Sequence, residues 1–191
     1  MKSFWLQDFV SVAQWLAAAG CALMGGVFFA FSTFVMKALA RLPAEVGIAA
    51  MQSINITAVK SWFLIAFLAT AASCGFVMLS AFPRWGEASA PWLLAGSATF
   101  LAGTFLVTML FNVPLNNALA ALPENEPDRA AYWVRYVADW TAWNHVRTLA
   151  SFAAAALLVL SWMHERKIFS GTCPEADSSL VVEMKRNNNS N

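Results

Sequence analysis

The sequence predicts an all-α fold, a four-helix transmembrane bundle with an amphipathic helical extension before the fourth span. Three observations carry this. Four long apolar runs, at about 10–35, 61–82, 91–111 and 146–163, stand out along the chain. Each holds about the 20 residues that a helix rising about 1.5 Å per residue needs to cross about 30 Å of hydrocarbon. Hydrophobic residues make up 59% of the 191 and charged residues 12%, against roughly 25% charged in soluble domains. A soluble domain of this size could not hide that much apolar surface. Finally, the unusual polar residues gather at one set of span ends. Consecutive spans alternate direction, so the end of span 1, the start of span 2, the end of span 3 and the start of span 4 share one face. Asn55, Lys60, Asn112, Asn116, Asn117, Asn144, His145 and Arg147 all fall there, whereas the other face has a short turn with Arg84 and Glu87 and the two termini.

In span 1, Ala18, Ala22, Gly26 and Ala30 recur every four residues and are expected to form its contact face, because small residues let backbones approach in lipid. Phe28, Phe29, Phe31 and Phe34 follow as an aromatic collar expected to meet lipid and neighbouring helices. Ala18-Ala19-Gly20-Cys21 faintly resembles a lipoprotein cleavage site, but the apolar run continues through it, so cleavage is not expected. In the first connection Pro43 suits the first turn of a short interfacial helix. Asn55-Ile56-Thr57 matches a glycosylation pattern, but it lies too close to span 2 for an enzyme working above the membrane. Prolines bound the turn at 83–90, which predicts a tight hairpin of spans 2 and 3. After span 3, Leu115, Leu119 and Leu122 continue a helical pattern up to Pro123. From Asp128, expected as a cap, Trp133, Tyr136, Trp140, Trp143 or Asn144, Arg147 and Ser151 recur at three- and four-residue steps. These residues define one face of a single long helix running into span 4. The domain is thus expected over 1–168, with 169–191 a disordered polar tail.

A net charge of +1 leaves no electrostatic footprint for nucleic acid. Cys21, Cys74 and Cys173 make no CxxC pair, and with two histidines a histidine-rich metal centre is hard to build. No metal site and no resident cofactor are expected. Basic residues balance between the two faces, so the positive-inside rule does not orient the chain.

Three patches compete for a site: Asn112–Asn117, Trp140–Thr148 and Met51–Asn55. Asn112 and Asn116 are four apart, and their amides share a direction if the helix tolerates Pro114. Asn144 and Arg147 also share a face. His145 stands about 200° from Arg147, so the two cannot address one pocket, and the tryptophan stripe favours Arg147. Singly, arginine reads as a snorkelling charge and the asparagines as interhelical glue. Together they form a candidate ligand site of amide, guanidinium and indole donors.

FFAFSTFVM in span 1, MQSIN before span 2, NVPLNNAL after span 3 and WTAWNHVRT opening span 4 together resemble the anthrone oxygenase-like family of small four-span membrane proteins. The resemblance covers about Ala13 to Ser161. It implies the same four-helix membrane bundle. Some fungal members oxidise an anthrone to an anthraquinone with molecular oxygen, and many bacterial members have no assigned role. The implied function is a membrane oxygenase, in which an enolate gives an electron to oxygen without metal or flavin. O2 is then the co-substrate. By that resemblance Arg147, Asn144, Asn112 and Asn116 would hold the enolate oxygen. Trp140 and Trp143 would stack on the rings, with Trp133 and Asn55 also in contact with substrate. The base is left open between His145 and Asp139. The implied partner is a hydrophobic aromatic small molecule or a lipid, and an oligomer stays open. The location is an integral, multi-pass membrane protein, in the inner or plasma membrane if bacterial. The alternative is a non-enzymatic carrier, lipid binder or helper whose polar mouth holds a quinone-like or lipid ligand.

Overall fold

The computed structural model describes residues 2–123 and 127–170, with side chains from 9 to 123 and from 127 to 164. Among these residues the fold is all-α. Four helices are long and apolar enough to cross a membrane: Phe9–Ala40, Trp62–Arg84, Ala90–Ala120 and Arg129–His164. The first is built from α1 (Lys2–Ala30), a π-helical turn (Phe31–Val35) and α2 (Met36–Ala40). A separate helix, α3 (Ala44–Val59), leads into the second, α4 (Trp62–Ala81). The third joins α5 (Ala90–Phe100), π turns at Leu101–Leu106 and Thr108–Asn112, and α6 (Val113–Ala120). The fourth belongs to α7, unbroken from Arg129 to Ser170. Of the tail expected at 169–191, residues 169 and 170 continue α7 and the rest lies outside the described residues.

Pro114 sits inside the third long helix without breaking it. A proline ring collides with the carbonyl four residues earlier and cannot donate to it. The π turn ending at Asn112 widens the helix just before that point, the kind of local adjustment that lets a helix continue. Asn112 and Asn116 therefore stay on one helix.

α1 packs on α4 and α7, and α5 packs on the same two, which closes an up-and-down four-helix ring. Its core is Ala17, Cys21, Met24, Phe28, Phe67, Cys74, Val77, Leu93, Phe100 and Leu158. The expected stripe of small residues is corrected here. Ala18 is buried, but Ala22 and Gly26 are exposed, and nothing lies within 4 Å of where a Cβ of Gly26 would be. The packed face is one residue over, along Gln14, Ala17, Cys21, Met24, Phe28 and Ser32. A missing Cβ is needed only at points, such as Gly25, where the Phe152 ring occupies the space a Cβ would take. Elsewhere larger side chains fill the bundle axis, gaining dispersion contacts that small ones forfeit.

A second apolar cluster caps one end of the ring. Met36, Ile48, Met51, Leu119, Trp133, Tyr136 and Trp140 join α2, α3, α6 and the first half of α7. Arg129 holds the layer together at its rim, its Nε donating to Glu45 Oε1 and Oε2 at 2.9 and 2.8 Å. Gln52 Nε2 donates to the Leu119 carbonyl at 2.8 Å, tying α3 to α6. At the opposite end, the chain closes the hairpin with Arg84 donating to Glu87. There Gln14 Nε2 also donates to Ser161 Oγ at 2.6 Å.

Candidate functional site

Two helices supply most of the polar groups at the junction of the two clusters. On α7 each residue advances about 100°, so Trp133, Tyr136, Trp140, Asn144 and Arg147 fall on one stripe, and all five are buried. On the third long helix Thr108 and Asn112 bracket a π turn, with Asn116 following in α6. A π turn inserts an extra residue and re-aims the side chains around it.

Arg147 is 4% exposed. Its Nη2 donates to Asn144 Oδ1 at 2.6 Å and Nη1 makes a long contact, 3.4 Å, to Thr108 Oγ1. Its guanidinium carbon lies 4.3 Å from the Phe28 ring centre and 5.0 Å from that of Trp140. Aromatic faces thus stand where a carboxylate would be expected. Such contacts are worth about 2 kcal/mol when desolvated, and that offsets part of the cost of burying the charge.

Asn144 is fully buried behind the arginine. Its amide nitrogen donates to the Phe28 carbonyl and to Ser32 Oγ, both at 2.7 Å. With both N–H bonds spent on the first long helix, Oδ1 is left to face Arg147. Ser32 is fixed in turn by Thr148, 3.2 Å away. On the other side Asn112 Nδ2 donates to the Trp140 carbonyl at 3.2 Å. Asn116 Oδ1 accepts from Tyr136 Oη and Trp140 Nε1, each at 2.9 Å.

These groups surround a cavity of about 240 Å³. Phe28, Phe31, Met51, Phe63, Phe67 and Trp140 form its apolar walls, and Asn55, Thr108, Asn112, Asn116 and Arg147 its polar ones. A mostly apolar hollow with a few convergent polar groups is the usual form of a small-molecule site.

A model of the anthrone oxygenase family matches residues 59–157, about half of the chain. The chain belongs to the anthrone oxygenase family. Comparisons with curated proteins and with solved structures give no match. The stretch matched to the anthrone oxygenase family includes Thr108, Asn112, Asn116, Trp140, Asn144 and Arg147. Phe28, Phe31, Met51 and Asn55, which complete the cavity, precede it.

Of the residues singled out in the sequence, Arg147, Asn112, Asn116, Asn55 and Trp140 line this one cavity. Asn144 does not line it but holds the arginine. Trp133 is buried beyond the cavity, stacked on Tyr136 with ring centres 5.6 Å apart. Trp143 lies on the flank, stacked on Phe111 at 3.6 Å. Together with Asp139 it borders a separate hollow of about 330 Å³. His145 and Asp139 are both exposed, and neither lines the main cavity.

Several residues of the site were missed from sequence, Phe63, Phe67 and Thr108 of the cavity lining among them. Phe28 and Phe31, expected at the lipid boundary, form cavity walls, and Ser32 anchors Asn144. The available signal was the four-residue spacing of Phe28 and Ser32, which puts a hydroxyl on the buried face of an apolar run.

Proposed function

We propose that this chain is a multi-pass integral membrane oxygenase that oxidises an anthrone-like aromatic substrate with O2. The observation that supports it best is the buried guanidinium of Arg147, seated between Phe28 and Trp140 in an apolar cavity. A positive charge held among aromatic faces suits a flat ring system whose oxygen becomes negative during reaction. Loss of a proton from the ring methylene gives an enolate, and a pre-placed donor stabilises that oxygen where water is excluded. The enolate is the electron source for O2, so the proposed reaction uses no added redox group. Overall the ring CH2 takes one oxygen atom as C=O, and the other oxygen leaves with both hydrogens as water.

The test is oxygen uptake by the purified protein in detergent with an anthrone, corrected for autoxidation and compared with Arg147→Ala. Uptake above background that disappears in the variant is expected. Equal uptake by both proteins, each shown to be folded, would sink the proposal.

One observation favours a second reading. The lining residues include no carboxylate and no imidazole to take the proton. A carrier or helper that binds a quinone-like ligand needs none. Ligand binding with no excess oxygen uptake would select that reading.

A further inference from the structure

Two polar atoms at the cavity have no hydrogen-bond partner, Arg147 Nε and Asn112 Oδ1. Arg147 is 4% exposed and Asn112 1%, and both line the cavity. They bracket Trp140: the guanidinium lies against its ring, and the Asn112 nitrogen donates to its backbone carbonyl. A carbonyl can only accept, so that bond fixes which end of the Asn112 amide is nitrogen. Its oxygen is therefore the end left over, an acceptor, where the sequence reading made this residue an oxyanion donor. Arg147 Nε–H, by contrast, can only donate.

The two orphans set the chemistry of their complement. A ketone oxygen satisfies the arginine but brings no hydrogen to Asn112, and an enolate oxygen has the same shortcoming. A hydroxyl on an aromatic ring meets both needs, because its oxygen accepts from Nε–H while its hydrogen goes to Oδ1. Sites built to bind a hydroxyl discriminate strongly against analogues that lack it, since their own buried groups are then stranded.

We propose that the cavity selects a ring hydroxyl, the phenol or enol form of an aromatic ligand, and that Asn112 is the residue that sets this preference. The inference rests on the cavity being the ligand site and deepens the function proposed above. For a ligand that interconverts between ketone and enol, the site favours the enol. That interconversion moves one proton from ring carbon to oxygen and consumes no oxidant.

The test uses stable three-ring probes: 9-phenanthrol, its methyl ether 9-methoxyphenanthrene, and phenanthrene. Each is titrated calorimetrically into the full-length protein in detergent under nitrogen, with empty micelles subtracted. The phenol is expected to bind about tenfold or more tighter than the ether, with phenanthrene ranking beside the ether despite its smaller size. In Asn112→Leu the ratio of phenol to ether affinity falls towards one. Each ratio compares two ligands on one sample, so partial loss of folded variant cancels. Equal binding of the probes by the native protein, absence of binding by all three, or an undiminished preference in Asn112→Leu overturns the inference. Oxygen uptake with an anthrone on the same preparations separates the two readings. Uptake without a phenol preference removes this inference alone, and a phenol preference without uptake supports it while removing the oxygenase.

Discussion

Asn144 Oδ1 accepts a hydrogen bond from Arg147 Nη2 at 2.6 Å, one turn away on α7. The same amide reaches across to Phe28 and Ser32. One side chain thus fixes both the arginine and the contact between the first and last long helices.

Replacing Asn144 by Leu keeps the branched four-atom outline of the side chain but strands the arginine, the Phe28 carbonyl and Ser32. Loss of a hydrogen bond to a charged group costs about 1.5–3 kcal/mol. We expect Asn144→Leu to lower stability by at least that much in denaturant unfolding in detergent. Unchanged stability would mean the network contributes nothing to the fold.

Arg147→Lys retains charge but loses the planar fork, so one ammonium cannot serve Asn144, the cavity and two aromatic faces at once. If the oxygenase reading holds, oxygen uptake falls about 10²-fold or more, in line with removal of a single oxyanion donor. Full activity in the lysine variant would show that position, not shape, of the charge is what matters.

Trp140 and Trp143 are three residues apart and predict opposite results. Trp140→Phe removes the donor to Asn116 Oδ1 and loosens a cavity wall, so ligand affinity drops. Trp143→Phe keeps a ring on Phe111 and touches no cavity group, so ligand affinity stays within about twofold, consistent with a substitution remote from the site. A larger effect from Trp143 would move the site to the hollow beside Asp139.

A Cβ on Gly47 would lie 2.7 Å from Trp133 Cζ2. Gly47→Ala therefore pushes the indole off Tyr136 and costs about 1–3 kcal/mol as overpacking, less any gain in helix propensity. A thermal unfolding midpoint equal to or above that of the native protein would show that the cap layer has room to shift.

The long helices were legible because hydrophobic length is read directly from composition. The cluster of Asn112, Asn116, Asn144 and Arg147 was legible because amides and a guanidinium inside apolar runs are conspicuous. Sidedness was harder. Trp143 stands about 60° from Trp140 around α7, close enough to pass for the same face and far enough to leave the cavity. In span 1 the stripe of small residues lay beside the packed one, and a single helix does not reveal which neighbours it has. The π turns left no mark in the pattern, because one extra residue shifts the phase without changing composition. The bond from Asn112 to the Trp140 carbonyl depended on how the third and fourth long helices pack, and was visible only in three dimensions.

The seating of Arg147 also bears on how the chain is made. A charge costs about 2.5–3.5 kcal/mol at the centre of an inserting helix on translocon scales, and less towards the end, where the apolar run places Arg147. The groups that shelter this one, Phe28, Thr108 and the Asn144 network anchored on Ser32, come largely from helices synthesised earlier. In the membrane reading proposed above, the last helix, whose mean hydropathy of 1.6 is the lowest of the four, would insert least readily and find its receptor already in place. Biogenesis would then be ordered, with the final helix captured by its predecessors, and a nascent chain lacking the first helix would leave the last one stalled at the interface and open to quality-control proteolysis.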